Sequence, residues 1–295
     1  MSDQRPPEEP PSGDPYAHYP GPGLSDPNDP LVAGDYSGWW SRGLELAKRT
    51  WQQILVLEIA LVVLTLLLVT PISVWRLTSI DLTGRGTANP GFQLGSSLLQ
   101  LAATVVTAVI GSVIGLVAVH LVAMAAANER PALGVALQRA ARRMPHIVLW
   151  ALVFGALAFV GFIACVVPGL YVGLVSLLLP SVVAFERDNP LSRAFSLFNQ
   201  NFGLALGFAA TIYGLSLVAS LIAGCLGGVA GVGAVVARST GALIGGTILA
   251  TLVSAVLAAA IGLLTYPLQV VAYATLRGRR TPVSTAQLVQ ELSQP

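Results

Sequence analysis

Charge is what this sequence has least of: Asp, Glu, Lys and Arg together make up 10% of its 295 residues, with a single lysine among them. Histidine occurs three times and cysteine twice. Two cysteines exclude a disulfide-stapled fold, and no Cys or His spacing resembles a zinc site. A net charge of only +2 argues against nucleic acid as a partner. The sequence also lacks G-x-S-x-G, H-E-x-x-H, a phosphate-binding glycine loop and any cluster of His with carboxylates, so it reads as no enzyme and as needing no cofactor or metal. What it has in abundance is apolar side chains. A hydrophobic share of 54% and a mean hydropathy of +0.73 exceed what a soluble globule carries, and they describe an integral membrane protein.

Uncharged runs cover residues 59–75, 86–128, 144–185, 194–237 and 239–276. A helix crosses the hydrocarbon core in about 20 residues at about 1.5 Å each, so runs near twice that length fold back as hairpins. Val167-Pro168-Gly169 supplies a turn within one run. The glycine-rich stretch 224–246 reads as an apolar connector within another. The pattern predicts an all-α polytopic membrane fold of six spans, near residues 53–75, 98–126, 146–167, 170–185, 203–225 and 247–273.

Six spans place both termini on one side, together with all Lys and Arg except Arg76, Arg85 and Arg238. The positive-inside rule assigns that side to the cytoplasm. Trp51, Trp75 and Trp150 then fall near interfaces, where an indole keeps its N–H wet. Residues 1–36 hold nine prolines and seven acids, and read as a disordered spacer without a removable signal peptide. Residues 37–280 form the membrane domain and 281–295 a C-terminal tail. For Cys165 and Cys225, near the outer helix ends, both a disulfide and free, buried thiols fit the sequence.

The segment RPALGVALQRAARRM, residues 130–144, carries four arginines, and a related pattern precedes two other apolar runs. Apolar or small residues recur at offsets 0, 3, 4, 7 and 11 in Trp40, Gly43, Leu44, Ala47, Trp51; in Leu133, Ala136, Leu137, Ala140, Met144; and in Leu191, Ala194, Phe195, Phe198, Phe202. Those offsets make one stripe of an amphipathic helix, with Arg49, Arg142 and Gln200 opposite. Asn189, Asn128 and Ser37 stand where each helix would begin. The chain therefore reads as three hairpins, each led by an interfacial helix on the cytoplasmic side. Arg139, Arg142, Arg143 and Arg193 are candidate contacts for anionic headgroups, while packing of the alanine-rich stripe on neighbouring spans stands as an equal reading.

Several ordered pieces resemble the membrane domain attached to bacterial glycerophosphoryl diester phosphodiesterases, a family that also occurs without its catalytic domain. Pro168, Gly169 and Tyr171 in the C-V-V-P-G-L-Y stretch match its helix-breaking turn. Pro180 and Glu186 match a P-x-x-x-x-x-E ending, Arg193 to Phe202 the amphipathic helix that follows, and Tyr266-Pro267 with Tyr273 to Arg277 the closing segment. The resemblance spans residues 38–285, and it departs where Ser196, Asn199 and Asn201 stand in place of basic residues. It implies a stand-alone bacterial plasma-membrane protein with no hydrolase activity, since the catalytic barrel needs about 250 further residues.

Two ionisable residues, Glu58 and His120, fall inside predicted spans, where burial is costly and function is the default expectation. Both lie about 10–12 Å from the same helix ends, so a polar pair between the first two spans is one reading and separate snorkelling toward the interface the other. Glycines spaced by four at 111 and 115, 169 and 173, 203 and 207, 224 and 228, and 241 and 245 suit close helix packing, or border a cavity. The leading functional expectation is a non-enzymatic protein that organises membrane lipids or envelope-associated partners. The alternative is a transporter or lipid-translocating protein with a polar site between spans.

Overall fold

The computed structural model describes residues 29–78, 90–236 and 240–293, and within them the chain is helical with no strand. Its helices are α1 (Tyr36–Thr78), α2 (Pro90–Ala126), α3 (Leu133–Ala141), α4 (Met144–Ala164), α5 (Val166–Ser176), α6 (Leu179–Phe185), α7 (Pro190–Gln200), α8 (Phe202–Val236), α9 (Thr240–Gly278) and α10 (Thr285–Ser293). Five of these, α1, α2, α4, α8 and α9, are long and apolar enough to cross a bilayer. The pair α5 and α6, bent by 41° at their junction, makes a sixth span when taken together. Helix is the expected solution, because hydrocarbon offers backbone groups no partner outside the segment itself. The expected all-α polytopic fold is therefore what the chain adopts.

Element boundaries differ from expectation where local chemistry decides them. The first amphipathic segment is not a separate helix, since α1 runs unbroken for 43 residues through it and into the span. Its counterparts α3 and α7 do stand apart from α4 and α8, interrupted at Arg142 to Arg143 and at Asn201. The glycine-rich connector is mostly helix, because α8 continues to Val236 and α9 begins at Thr240. About 1 kcal/mol of helix propensity per glycine is less than leaving backbone amides unpaired in an apolar setting. The turn between α4 and α5 falls at Cys165, whose backbone is extended, and not at Pro168, which sits within the first turn of α5. There Gly161 and Gly169 let two backbones touch: a Cβ on Gly161 would lie 2.8 Å from the Gly169 nitrogen.

Capping accounts for several ends. Asn189 caps α7 as expected, its side chain accepting from the Leu191 amide at 3.0 Å. Asp35, not Ser37, serves α1 by accepting from the Gly38 amide at 2.7 Å. Asn128, expected to open a helix, closes α2 instead. It has positive φ, and the pairs Glu129 N to Met124 O and Asn128 N to Ala125 O form a Schellman closure.

The packed core lies toward the end of the bundle that carries α3, α7 and α10, called here the arginine-rich end. Trp39, Leu121, Phe198, Tyr273 and Leu288 are buried there. Along the spans the pattern inverts, with Leu67, Ile163 and Val229 about 70% exposed, as lipid-facing side chains are. Both flanks of the chain join this core. Leu31, Val32 and Ala33 are buried, which removes residues 29–36 from the expected disordered tail, whose first 28 residues lie outside the described part. The expected C-terminal tail contains α10, anchored by Val283, Leu288 and Leu292. Asp29 ties the two flanks, accepting from the amides of Leu31, Val32 and Thr285 and from the Thr285 hydroxyl at 2.6 Å. Arg85 and Arg238, assigned to the opposite side, are outside the described residues.

Candidate functional site

A cleft of about 610 Å³ opens between α1, α8 and α9 within their membrane-length portions. On α8 its wall is Ser216, Ala219, Ser220, Ala223 and Gly224, a spacing of three and four that gathers small side chains on one face. On α9 the same spacing presents Ser254, Ala258, Gly262, Thr265, Tyr266 and Gln269. Small residues on both walls keep the space unfilled. That volume lies inside the range of about 300–1,000 Å³ typical of ligand pockets.

Glu58 lies at the buried floor of the cleft, only 3% exposed. Its carboxylate lies against α9 at Gly262, where a Cβ would fall 2.1 Å from Oε1, so only glycine admits it. Tyr266, also in the lining, is a polar neighbour that acts on the same carboxylate. Toward the rim, Ser220 and Ser254 are exposed. Each serine hydroxyl donates to the carbonyl one turn back: Ser216 to Ile212 at 3.1 Å, Ser220 to Ser216 at 2.8 Å and Ser254 to Ala250 at 2.7 Å.

His120 makes its contact elsewhere. It is buried within α2, and Nδ1 donates to the Leu116 carbonyl at 2.9 Å, which leaves Nε2 as the acceptor of the neutral ring. The charges near enough to act on it are Arg139 and Arg143. Among the described residues Glu58 and His120 share no hydrogen bond; the polar neighbour of Glu58 comes from α9. Tyr266 carries that role without having been singled out as a partner. The legible signal was the recurrence of Ser254, Thr265 and Gln269 in an otherwise apolar run at spacings of four and eleven.

At the arginine-rich end the candidate headgroup contacts divide. Arg143 donates through Nη1 to the carbonyls of Val183 at 2.7 Å and Glu186 at 3.2 Å, closing the end of α6. Burial, and then neighbouring Arg187, hold its guanidinium below the usual arginine range. Arg193 forms an ion pair with Glu186, whose other oxygen accepts from the Tyr273 hydroxyl at 2.7 Å. Arg277 continues the chain of contacts to the Tyr273 oxygen at 3.2 Å and to both oxygens of Glu291 on α10 at 2.6 and 2.8 Å. Arg142 is exposed and Arg139 half-buried. The stripe on α3 is split: Ala136 and Ala140 pack inward, while Leu137 is 38% exposed.

The motif residues have packing partners. Gly169 meets the Phe162 ring, and Pro180 packs where a Cβ on Gly115 would approach it to 3.2 Å. The Tyr171 hydroxyl donates to Asn199 Oδ1 at 2.6 Å, and Glu186 takes Arg193 and Tyr273 as above. Of the glycines spaced by four, Gly115, Gly169 and Gly173 meet neighbours, whereas Gly111, Gly203, Gly207, Gly224, Gly228 and Gly245 face open space, with Gly224 bordering the cleft. Cys165 and Cys225 are free and exposed. Among the described residues no three His, Cys, Asp or Glu side chains gather as metal ligands would. No protein-family model, curated protein or solved structure matches this chain.

Proposed function

We propose that this chain is a non-enzymatic integral membrane protein that binds a lipid-like amphiphile, with the headgroup in the cleft around Glu58 and the tails among the surrounding spans. The observation that carries this reading is a nearly fully buried carboxylate facing a roomy cavity between apolar helices. A charge in hydrocarbon costs several kcal/mol, and one placed in a cavity has a use for the space it faces. Binding of this kind serves lipid organisation in the plasma membrane of a bacterium, with the arginine-rich end toward the cytoplasm by charge asymmetry. Native mass spectrometry of the purified chain in mild detergent tests the reading. Wild type retains lipid adducts, and Ser220→Trp, which fills the exposed rim, loses them. Equal retention by both overturns the cleft as the binding site.

Translocation of the amphiphile is the second reading, and it draws on the length of the same cleft. From Gln269 to Ser254 the lining extends 15 residues along α9, about 22 Å at helical rise, a large part of a hydrocarbon core. Proteoliposomes loaded with a fluorescent lipid analogue distinguish translocation from binding. Protein-dependent flux that Glu58→Ala abolishes supports it, and flux equal to that of protein-free vesicles removes it.

A further inference from the structure

Resting on the binding role proposed above, we infer that the cleft selects a primary ammonium headgroup, and so an amino-amphiphile over an anionic one. Among the described residues of the lining Glu58 is the only charged side chain, with no Lys, Arg or His beside it. An anionic headgroup entering there would meet a carboxylate and no compensating charge.

The hydrogen-bonding state of the other polar groups points the same way. A serine hydroxyl has one proton to donate and two lone pairs to offer. In Ser216, Ser220 and Ser254 that proton is already given to a backbone carbonyl of the same helix. What these side chains present to the cleft is therefore acceptor oxygen only. Among the described lining, Thr265, Tyr266 and the Gln269 amide can donate, and Gln269 brings an acceptor as well.

A cavity whose wall presents three serine acceptor oxygens, with one carboxyl group at its floor, is complementary to a group that carries positive charge and several N–H donors. A primary ammonium has three donors. One can go to Glu58 and the others to serine oxygens or the Gln269 carbonyl. The Tyr266 ring beside the carboxylate adds a face that attracts a cation. A quaternary ammonium satisfies the charge but leaves the serine oxygens without donors. An alcohol satisfies the hydrogen bonds but not the charge.

Saturable binding of radiolabelled dodecylamine to the purified full-length chain in maltoside micelles tests this, with dodecanoate and dodecanol as chain-matched competitors. Wild type is expected to prefer the amine over both by at least about tenfold, the scale of one charge-assisted hydrogen bond. Glu58→Gln should abolish that preference while dodecanol still binds saturably. Because Glu58→Gln touches a buried position, Ser220→Val at the exposed rim is the second variant; it removes one of several acceptors and should weaken the three-donor amine several-fold and the one-donor dodecanol by less. If all three probes bind saturably with equal affinity, or dodecanoate binds best, the ammonium inference fails while the amphiphile-binding role stands. If none binds saturably, both fail.

Discussion

Replacing Asp29 by alanine should release the C-terminal helix from the rest of the protein. Asp29 is 8% exposed and accepts hydrogen bonds from the amides of Leu31 and Val32, each at 2.9 Å, and from the Thr285 amide at 2.8 Å, besides the Thr285 hydroxyl. The Leu31 amide has a fallback in Thr285 Oγ1 at 3.3 Å; the other two amides have no alternative acceptor among the bonds described. Losing a capping acceptor costs about 1 kcal/mol, and a buried amide left unpaired about 1–3 kcal/mol, so about 3 kcal/mol is expected in total. Nine residues are too few for α10 to persist as a helix alone, and its attachment otherwise rests on Val283, Leu288, Leu292 and the Arg277 to Glu291 contact. A loss of about 3 kcal/mol raises the detached population roughly 100-fold. Hydrogen exchange of peptides covering residues 31–33 and 285–293, in detergent, should accelerate by that factor in Asp29→Ala while α4 and α5 keep their protection. Asp29→Asn retains one carbonyl acceptor and should fall between. Exchange in α10 that is unchanged, or that rises uniformly through α2 and α4, would refute the clasp.

Three further outcomes follow from the packing. Gly161→Ala places a Cβ 2.8 Å from backbone of α5 and should destabilise the hairpin by about 1–3 kcal/mol, read as a lower midpoint in a thermal size-exclusion assay, with Gly155→Ala, which faces open space, as the neutral control. Arg143→Ala should lower that midpoint by removing the closure of α6, whereas Arg142→Ala, at an exposed position, should leave it within about 0.5 kcal/mol and instead weaken pelleting with anionic vesicles; equal stability of the two variants contradicts the division of roles drawn here. In intact cells a membrane-impermeant maleimide should reach Cys165 at the α4 to α5 turn, and a Cys165→Ala, Cys225→Ala chain carrying Arg142→Cys only after permeabilisation. The reverse order of labelling would invert the charge-based orientation.

Sequence periodicity reads well wherever one physical effect dominates. Long uncharged runs placed the spans, because in hydrocarbon only helices and closed barrels satisfy a backbone and runs of this length and composition suit helices. Asn189 before Pro190 marked the start of α7, because both residues act locally. The errors lie where the deciding contact is distant. Nothing within residues 29–36 shows that Asp29 will meet Thr285, 256 positions away, so a proline-rich acidic composition reads as tail up to Tyr36. Glu58 stood out as a charge in an apolar run, but choosing its partner required knowing that α1 packs on α9. Tyr266 lies 208 residues on and is amphipathic enough to pass for an interfacial side chain. The split of the α3 stripe, with Ala136 inward and Leu137 outward, also follows from the direction of the neighbouring spans and not from the offsets themselves.

The saturation of polar groups separates the two charged regions of this protein by role. At the arginine-rich end, Glu186 receives Arg193 on one oxygen and Tyr273 on the other, Arg277 engages both oxygens of Glu291, and Arg143 spans two carbonyls. Paired charges of this kind orient helices, and removing one partner strands the other, so their substitution acts on stability first. Glu58 is different. It is buried as deeply, yet its neighbours supply one tyrosine hydroxyl and a glycine that offers no side chain, and beyond them lies open volume edged with acceptor oxygens. If Glu58 is kept for a ligand and not for packing, a glutamine there costs little or even stabilises the bundle, as replacing unneeded buried charge commonly does. The two roles therefore make opposite demands. Glu58→Gln should leave the thermal midpoint equal or higher while removing the preference for the amine, and Glu186→Gln should lower the midpoint while sparing that preference in whatever fraction stays folded. A Glu58→Gln protein that unfolds several degrees earlier yet still binds as wild type would place Glu58 among the structural charges.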